Sequence, residues 1–344
     1  MQIGKRTLTE MNRCYSATSI VVDGETRVLL ATEGRGPCLA WSGPGYDDPQ
    51  TVWEGPGGTM SMVPIPGANG AFLAVQRFFR MFQWEEAKVV HVRPRPGGGY
   101  DISDVLVLPY IHRFDLLTVA GRHYFLGCTL ATAKESKEDW SSPGKLWVGE
   151  FDGTGPMAVT VLKDGMTKNH GYSRLVRSGG MSGLVTCEQG AFEVAPPAVP
   201  GADWTVTQLM DWPISDIAAV DIDGDGELEF ATIEPFHGSH FRVYKKIAGA
   251  FRQVFEHPEV SEFYHVVVGA TLAGRPGFIG GCRRGRQQLF FLQAAGTGPL
   301  AFEATVIEEG VGPSNVAVVH EPGRDIIVAA NREKAEAALY FVTA

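Results

Sequence analysis

The chain has 344 residues, 44% of them hydrophobic and 20% charged, enough for a large core and far from the composition of a disordered tail or a coiled coil. Its 30 Lys and Arg against 39 Asp and Glu give a net charge of −9, which argues against a nucleic-acid-binding surface. Gly 42 and Pro 21 mark a chain rich in turns.

The opening MQIGKRTLTEMNR lacks the apolar run of a signal peptide, and no later stretch reaches the ~18 apolar residues of a membrane span. Cys14, Cys38, Cys128, Cys187 and Cys282 are odd in number and have no CxxC spacing. A cytoplasmic protein with reduced, buried thiols and no membrane partner is therefore expected.

In chain order, short apolar runs alternate with Gly, Pro, Asp and Asn clusters: TRVLLATE, AFLAVQ, HYFLGCTL, KLWVGEF, LVTCEQ, ELEFATIE, FRVYKK, GFIGG, QLFFLQ, DIIVAA and ALYFV. These are strand-and-turn signals. EKAEAA near the C-terminus has helix propensity, but it is read as a loop entering a strand because IIVAAN precedes it. Innermost strands open near Tyr15, Met60, His112, His170, Asp216, His265 and Asn315, at steps of 45 to 58 residues. A period near 50 with four strands in each predicts an all-β, seven-bladed β-propeller forming one domain over residues 1–344. After Asn315 only three strands fit, so residues 2–10 are predicted to close the ring.

Residues 221–229 read DIDGDGELE. Asp221, Asp223, Asp225 and Glu229, with the carbonyl of Glu227, have the oxygen spacing for a structural calcium or magnesium ion; an acidic hairpin without an ion is the plainer alternative. The loop resembles the calcium loop of FG-GAP (VCBS) propeller repeats, although Thr232 stands where an EF-hand has its bidentate acid.

Strand direction alternates within a blade, so the loops entering strand A and the B–C loops share one face, and the acidic A–B loop lies on the other. The first face gathers His112, His170 and His265 at blade openings, with Glu234, His237 and His240 in the fifth B–C loop. Arg35, Arg283, Arg284 and Asn331 stand in other B–C loops. Such a cluster predicts a channel-mouth site with Zn²⁺ or a similar ion on His170, His265 and His237 or His112. His240 or Glu234 would be the base, and Arg283, Arg284, Asn331 and Arg35 would hold the substrate. The arginine cluster reads equally well as a solvated loop. His91, His123, His257 and His320 fall outside the register and are read as structural.

The segments HVVVGATLAGRPGFIGGCRRGRQQLFFL and GPSNVAVVHEPGRDIIVAANREKAEAALYFV resemble the propeller part of aldos-2-ulose (1,5-anhydrofructose) dehydratases, most clearly over residues 221–344. The resemblance implies β-elimination on a keto-sugar, with a small sugar or oligosaccharide as partner. A polysaccharide lyase acting on uronate glycans and a non-catalytic recognition propeller are the alternatives.

Overall fold

The computed structural model describes residues 1–79, 84–259, 261–296 and 300–344. Among them, 28 strands form seven antiparallel four-stranded sheets. Blades 1 to 6 run in chain order, and their innermost strands begin at Cys14, Met62, Ile111, Tyr172, Asp216 and Tyr264. Every start lies within two residues of its predicted opening. Blade 7 takes three strands, Asn315–Glu321, Arg324–Asn331 and Glu336–Thr343, and its outermost strand is Gln2–Glu10 from the other end of the chain. The register runs from Gln2 opposite Thr343 to Glu10 opposite Glu336, so the N-terminal strand closes the ring as predicted. The EKAEAA segment is a turn that enters the last strand at Glu336.

Period-2 alternation explains why the sheets stack. The second strand of each blade has buried neighbours on both faces, so it reads as a continuous apolar run. In blade 1, Leu29 packs toward blade 2 with Phe72 and Val90, whereas Leu30 packs toward blade 7 with Val328 and Leu339. In blade 6, Phe290 joins Phe241 and Phe278 against blade 5, and Phe291 joins Ile327 and Tyr340 against blade 7. Seven such clusters lie between the seven pairs of adjacent blades. The outermost strands, such as Thr205–Met210, alternate toward solvent. All five cysteines are buried and unpaired. Among the described residues no helix is long and apolar enough to cross a membrane.

Candidate active site at the channel mouth

The innermost strands carry a recurrent irregularity. Pairing slips between Cys14 and Ser16, between Ile111 and Arg113, and between Tyr264 and Val266. Each bulge leaves one extra residue, respectively Tyr15, His112 and His265. A bulge re-aims a side chain, and these three side chains meet: the Tyr15 hydroxyl lies 3.5 Å from His112 Nε2 and 3.4 Å from His265 Nε2. His170 arrives from the turn just before Tyr172–Arg177, and its ring centroid is 4.6 Å from that of His112.

His237 comes from the B–C loop of blade 5, between Glu229–Glu234 and His240–Ile247. Its φ of 50° is left-handed, uncommon for a residue with a side chain. Its amide donates to Ser215 Oγ at 3.0 Å. A Cβ at Gly238 would lie 2.1 Å from the Glu234 carbonyl oxygen, so the turn needs glycine there. The resulting turn puts His237 Nε2 3.1 Å from His170 Nε2.

One nitrogen each from His170, His237 and His265 lie within 4.8 Å of one another. Two nitrogens bound tetrahedrally at ~2.0–2.1 Å are about 3.3 Å apart, close to the observed His170–His237 spacing. His265 Nδ1 lies 2.7 Å from the carbonyl oxygen of Ser314 and donates to it, which leaves Nε2 with its lone pair toward the cluster. Burial, with the charge of Arg283 next, pushes the His265 pKa well below its ordinary value and keeps the ring neutral. A set of imidazole nitrogens suits zinc and similar transition ions. The donor set therefore fits such an ion, and His112 stands beside it.

The pocket above this cluster is about 530 Å³. Its walls include Phe78, Trp84, Trp140, Phe236 and Phe263, with Arg13, Lys134, Lys137 and Glu138 at the mouth. Trp140 sits in the long B–C loop of blade 3, packs 5.2 Å from the Phe236 ring and carries Lys134 Nζ 3.4 Å above its own ring. The sequence does not mark Trp84 or Tyr15 as site residues. Tyr15 shares the histidines' register, and that was the available signal.

The other expected site residues lie elsewhere. Glu234 is buried and accepts from Trp212 Nε1, Thr232 Oγ1, Arg242 Nη1 and Tyr244 Oη, so its oxygens are already engaged between blades. His240 pairs with Glu256 at 2.7 Å and is not in the pocket wall. Neither is placed to be the base. Asn331 is fully buried and donates to Glu336 and Tyr340. Arg284 is exposed, and the guanidinium of exposed Arg35 lies over Phe79. Arg283 is buried against Phe263, just behind the pocket wall. His91 and His257 are buried, His123 bonds Thr118, and His320 pairs with Asp325.

The acidic loop joins the first two strands of blade 5 on the opposite face, as expected, but its centre holds a cation from the chain itself. Lys245 Nζ lies 2.8 Å from Asp223, 2.7 Å from Asp225 and 2.7 Å from Glu229. Asp221 instead accepts from the amides of Gly224 and Gly226, and Glu227 donates its amide to Asp225. Lys245 reaches these carboxylates because it stands directly opposite Glu229 in the hairpin register, and one oxygen each from Asp221, Asp223 and Asp225 also lie within 4.8 Å of one another. Burial opposes the charge on Lys245, but its bonds to the three carboxylates outweigh that and raise its pKa.

Below the histidines, a cavity of about 190 Å³ in the channel is lined by Arg113, Asp216, Asn315 and His265, among others. Burial pushes the Asp216 carboxyl up to about 7. Between pH 4 and 7 the unfolded chain would be ionised there while the folded protein stays protonated, so this group makes stability fall as pH rises. Asp216→Asn should remove that loss. Relative to wild type, the variant should gain about 2–3 kcal/mol more at pH 8 than at pH 5 in urea unfolding. An equal difference at both pH values would show that Asp216 does not titrate there.

No family model matches the chain, and no curated protein matches it. Among solved structures it is similar to virginiamycin B lyase from Staphylococcus aureus, at 11% identity and a TM-score of 0.61, covering 100% of this chain and 99% of that one. It is also similar to the Pseudomonas aeruginosa periplasmic gluconolactonase, at 14% identity and a TM-score of 0.59, covering 96% and 99%. A third likeness, to Saccharomyces cerevisiae Sqt1, has 9% identity and a TM-score of 0.60, covering 99% and 98%. These likenesses do not single out the FG-GAP or anhydrofructose dehydratase groups. At such identities they establish that the chain shares the β-propeller fold.

Proposed function

We propose that the protein is a metal-dependent carbon–oxygen lyase that carries out β-elimination on a carbohydrate at the channel mouth. The observation that carries this reading is the convergence of His170, His237 and His265, with one nitrogen each within 4.8 Å, where His170 and His237 line an aromatic pocket and His265 lines the smaller cavity next to it. The names of two structural neighbours, a lyase and a gluconolactonase, lend support. A divalent transition ion on these nitrogens would supply Lewis acidity toward the carbonyl or carboxylate next to the bond that breaks.

The chain's own groups do the rest. The Tyr15 hydroxyl takes the proton from the activated carbon while passing its own to His112 Nε2, 3.5 Å away. Trp84, Trp140 and Phe236 present faces on which a sugar ring stacks, and they exclude water from the reacting carbon. The activating group is the ketone of a keto-sugar, as the resemblance to dehydratases implies, or the carboxylate of a uronate.

Elemental analysis of the purified protein should find about one transition-metal ion per chain, which chelation removes together with activity. Incubation with keto-sugars and uronate oligomers should yield an unsaturated product seen by absorbance. Hydrolysis of sugar lactones without unsaturated product would replace elimination by hydrolysis at the same centre. A metal-free protein with no turnover would leave a recognition propeller.

A further inference from the structure

The pocket mouth is positive although the chain is not. Against a net charge of −9, the charged side chains that line the pocket among the described residues are Arg13, Lys134 and Lys137 against Glu138, with Asp139 close enough to act on Lys134 as well. Within a cleft, such an excess raises the local concentration of anions.

A second observation lies deeper. Arg283 is only 3% exposed, and its Nε and Nη2 donate to Glu333 Oε1 at 2.8 and 2.6 Å. Its guanidinium lies 4.6 Å from the ring centroid of Phe263, which lines the pocket and packs 4.4 Å from the His237 ring. It is close enough for its charge to act on both His265 and Tyr15. Its Nη1 is buried and has no hydrogen-bond partner among the described residues. A buried guanidinium with a spare donor costs free energy until an acceptor meets it.

Resting on the lyase reading, we propose that the substrate is a uronate-type sugar acid, its carboxylate drawn in by Arg13, Lys134 and Lys137 and seated at the histidine centre in the field of Arg283, rather than a neutral keto-sugar. Neutralising that carboxylate acidifies the adjacent C5–H. The C5–H bond breaks and its proton passes to Tyr15. The C5–H electron pair forms the C4=C5 bond, the C4–O bond breaks, and the leaving oxygen keeps the C4–O bonding pair and takes the proton that Tyr15 has passed to His112. The products are an unsaturated uronate and a free hydroxyl, with no oxidant or reductant required.

The test pairs binding with turnover. In calorimetry on the metal-loaded protein, galacturonic acid should bind at least about tenfold more tightly than its neutral methyl ester, and the gap should narrow as salt rises. Arg283→Gln should lose at least about tenfold of the acid's affinity and leave the ester's unchanged. Arg13→Gln with Lys137→Gln, both at exposed positions, should lose about threefold or more and decides the matter if Arg283→Gln does not fold. Equal binding of acid and ester, or elimination from neutral keto-sugars but not from oligogalacturonate, overturns the proposal and leaves the lyase reading intact. Preferential binding of the acid with no elimination from any substrate sinks the lyase reading and keeps the anionic site.

Discussion

His170→Ala should abolish the bound metal and lower turnover by at least about a thousandfold while the ring stays folded. On the proposed reading His170 offers one of three ligand nitrogens, and its loss would leave a two-histidine site too weak to retain an ion through purification. An ion acting as a Lewis acid lowers the barrier by several kcal/mol, and each ~1.4 kcal/mol is a factor of ten in rate. His170 precedes its strand rather than pairing within it, so the blade's ladder from Tyr172 opposite Val185 should persist. His112→Asn provides the contrast. It should keep the metal and lower kcat by about a hundredfold, because it removes a proton acceptor and not a ligand. Metal content by elemental analysis, circular dichroism and kcat on the same samples separate the two roles. Full turnover by metal-free His170→Ala protein would refute the assignment.

Lys245→Met should cause a large loss of stability at the acidic loop. The substitution keeps the aliphatic stem but leaves Asp223, Asp225 and Glu229 facing one another, and Glu229 is fully buried. Removing one partner of a buried ion pair costs ~3–5 kcal/mol; the outer carboxylates reach solvent, so about 2–3 kcal/mol is expected here. For a chain of this length that corresponds to a fall in Tm of roughly 3–4 °C. The vacated centre then has the oxygens for a hard cation, so added calcium should raise the Tm of the variant and leave wild type unchanged. A calcium response in wild-type protein would mean that Lys245 yields its place to the ion.

The ring was legible because its signals are local. Runs such as LVTCEQ and DIIVAA are apolar on both faces, turn residues separate them, and the spacing repeats. The same register brought His112, His170 and His265 to one end of the channel, and the B–C assignment added His237. Glu234 and Asn331 misled because a polar residue at a strand end looks the same in sequence whether it meets a ligand or four neighbours. Phe78, Phe236 and Phe263 were invisible as pocket walls, since an aromatic residue in a loop gives no sign of which cavity it faces. Lys245 lay within reach: counting the hairpin back from Glu229 would have placed it across the acidic loop.

The closing strand sets a constraint on biosynthesis. Gln2–Glu10 leaves the ribosome before any blade of the ring, and its partner Glu336–Thr343 follows more than 300 residues later. At ~5–20 residues per second, that delay is tens of seconds. Throughout it the nascent chain carries an orphan strand, and a growing stack of blades has raw edges that can pair with a neighbouring ribosome's product. Lys5 and Arg6 in QIGKRTLTE are suited to that interval: two cations in a single extended segment disfavour strand addition by an identical copy until Glu336 and Glu308 arrive to meet Lys5.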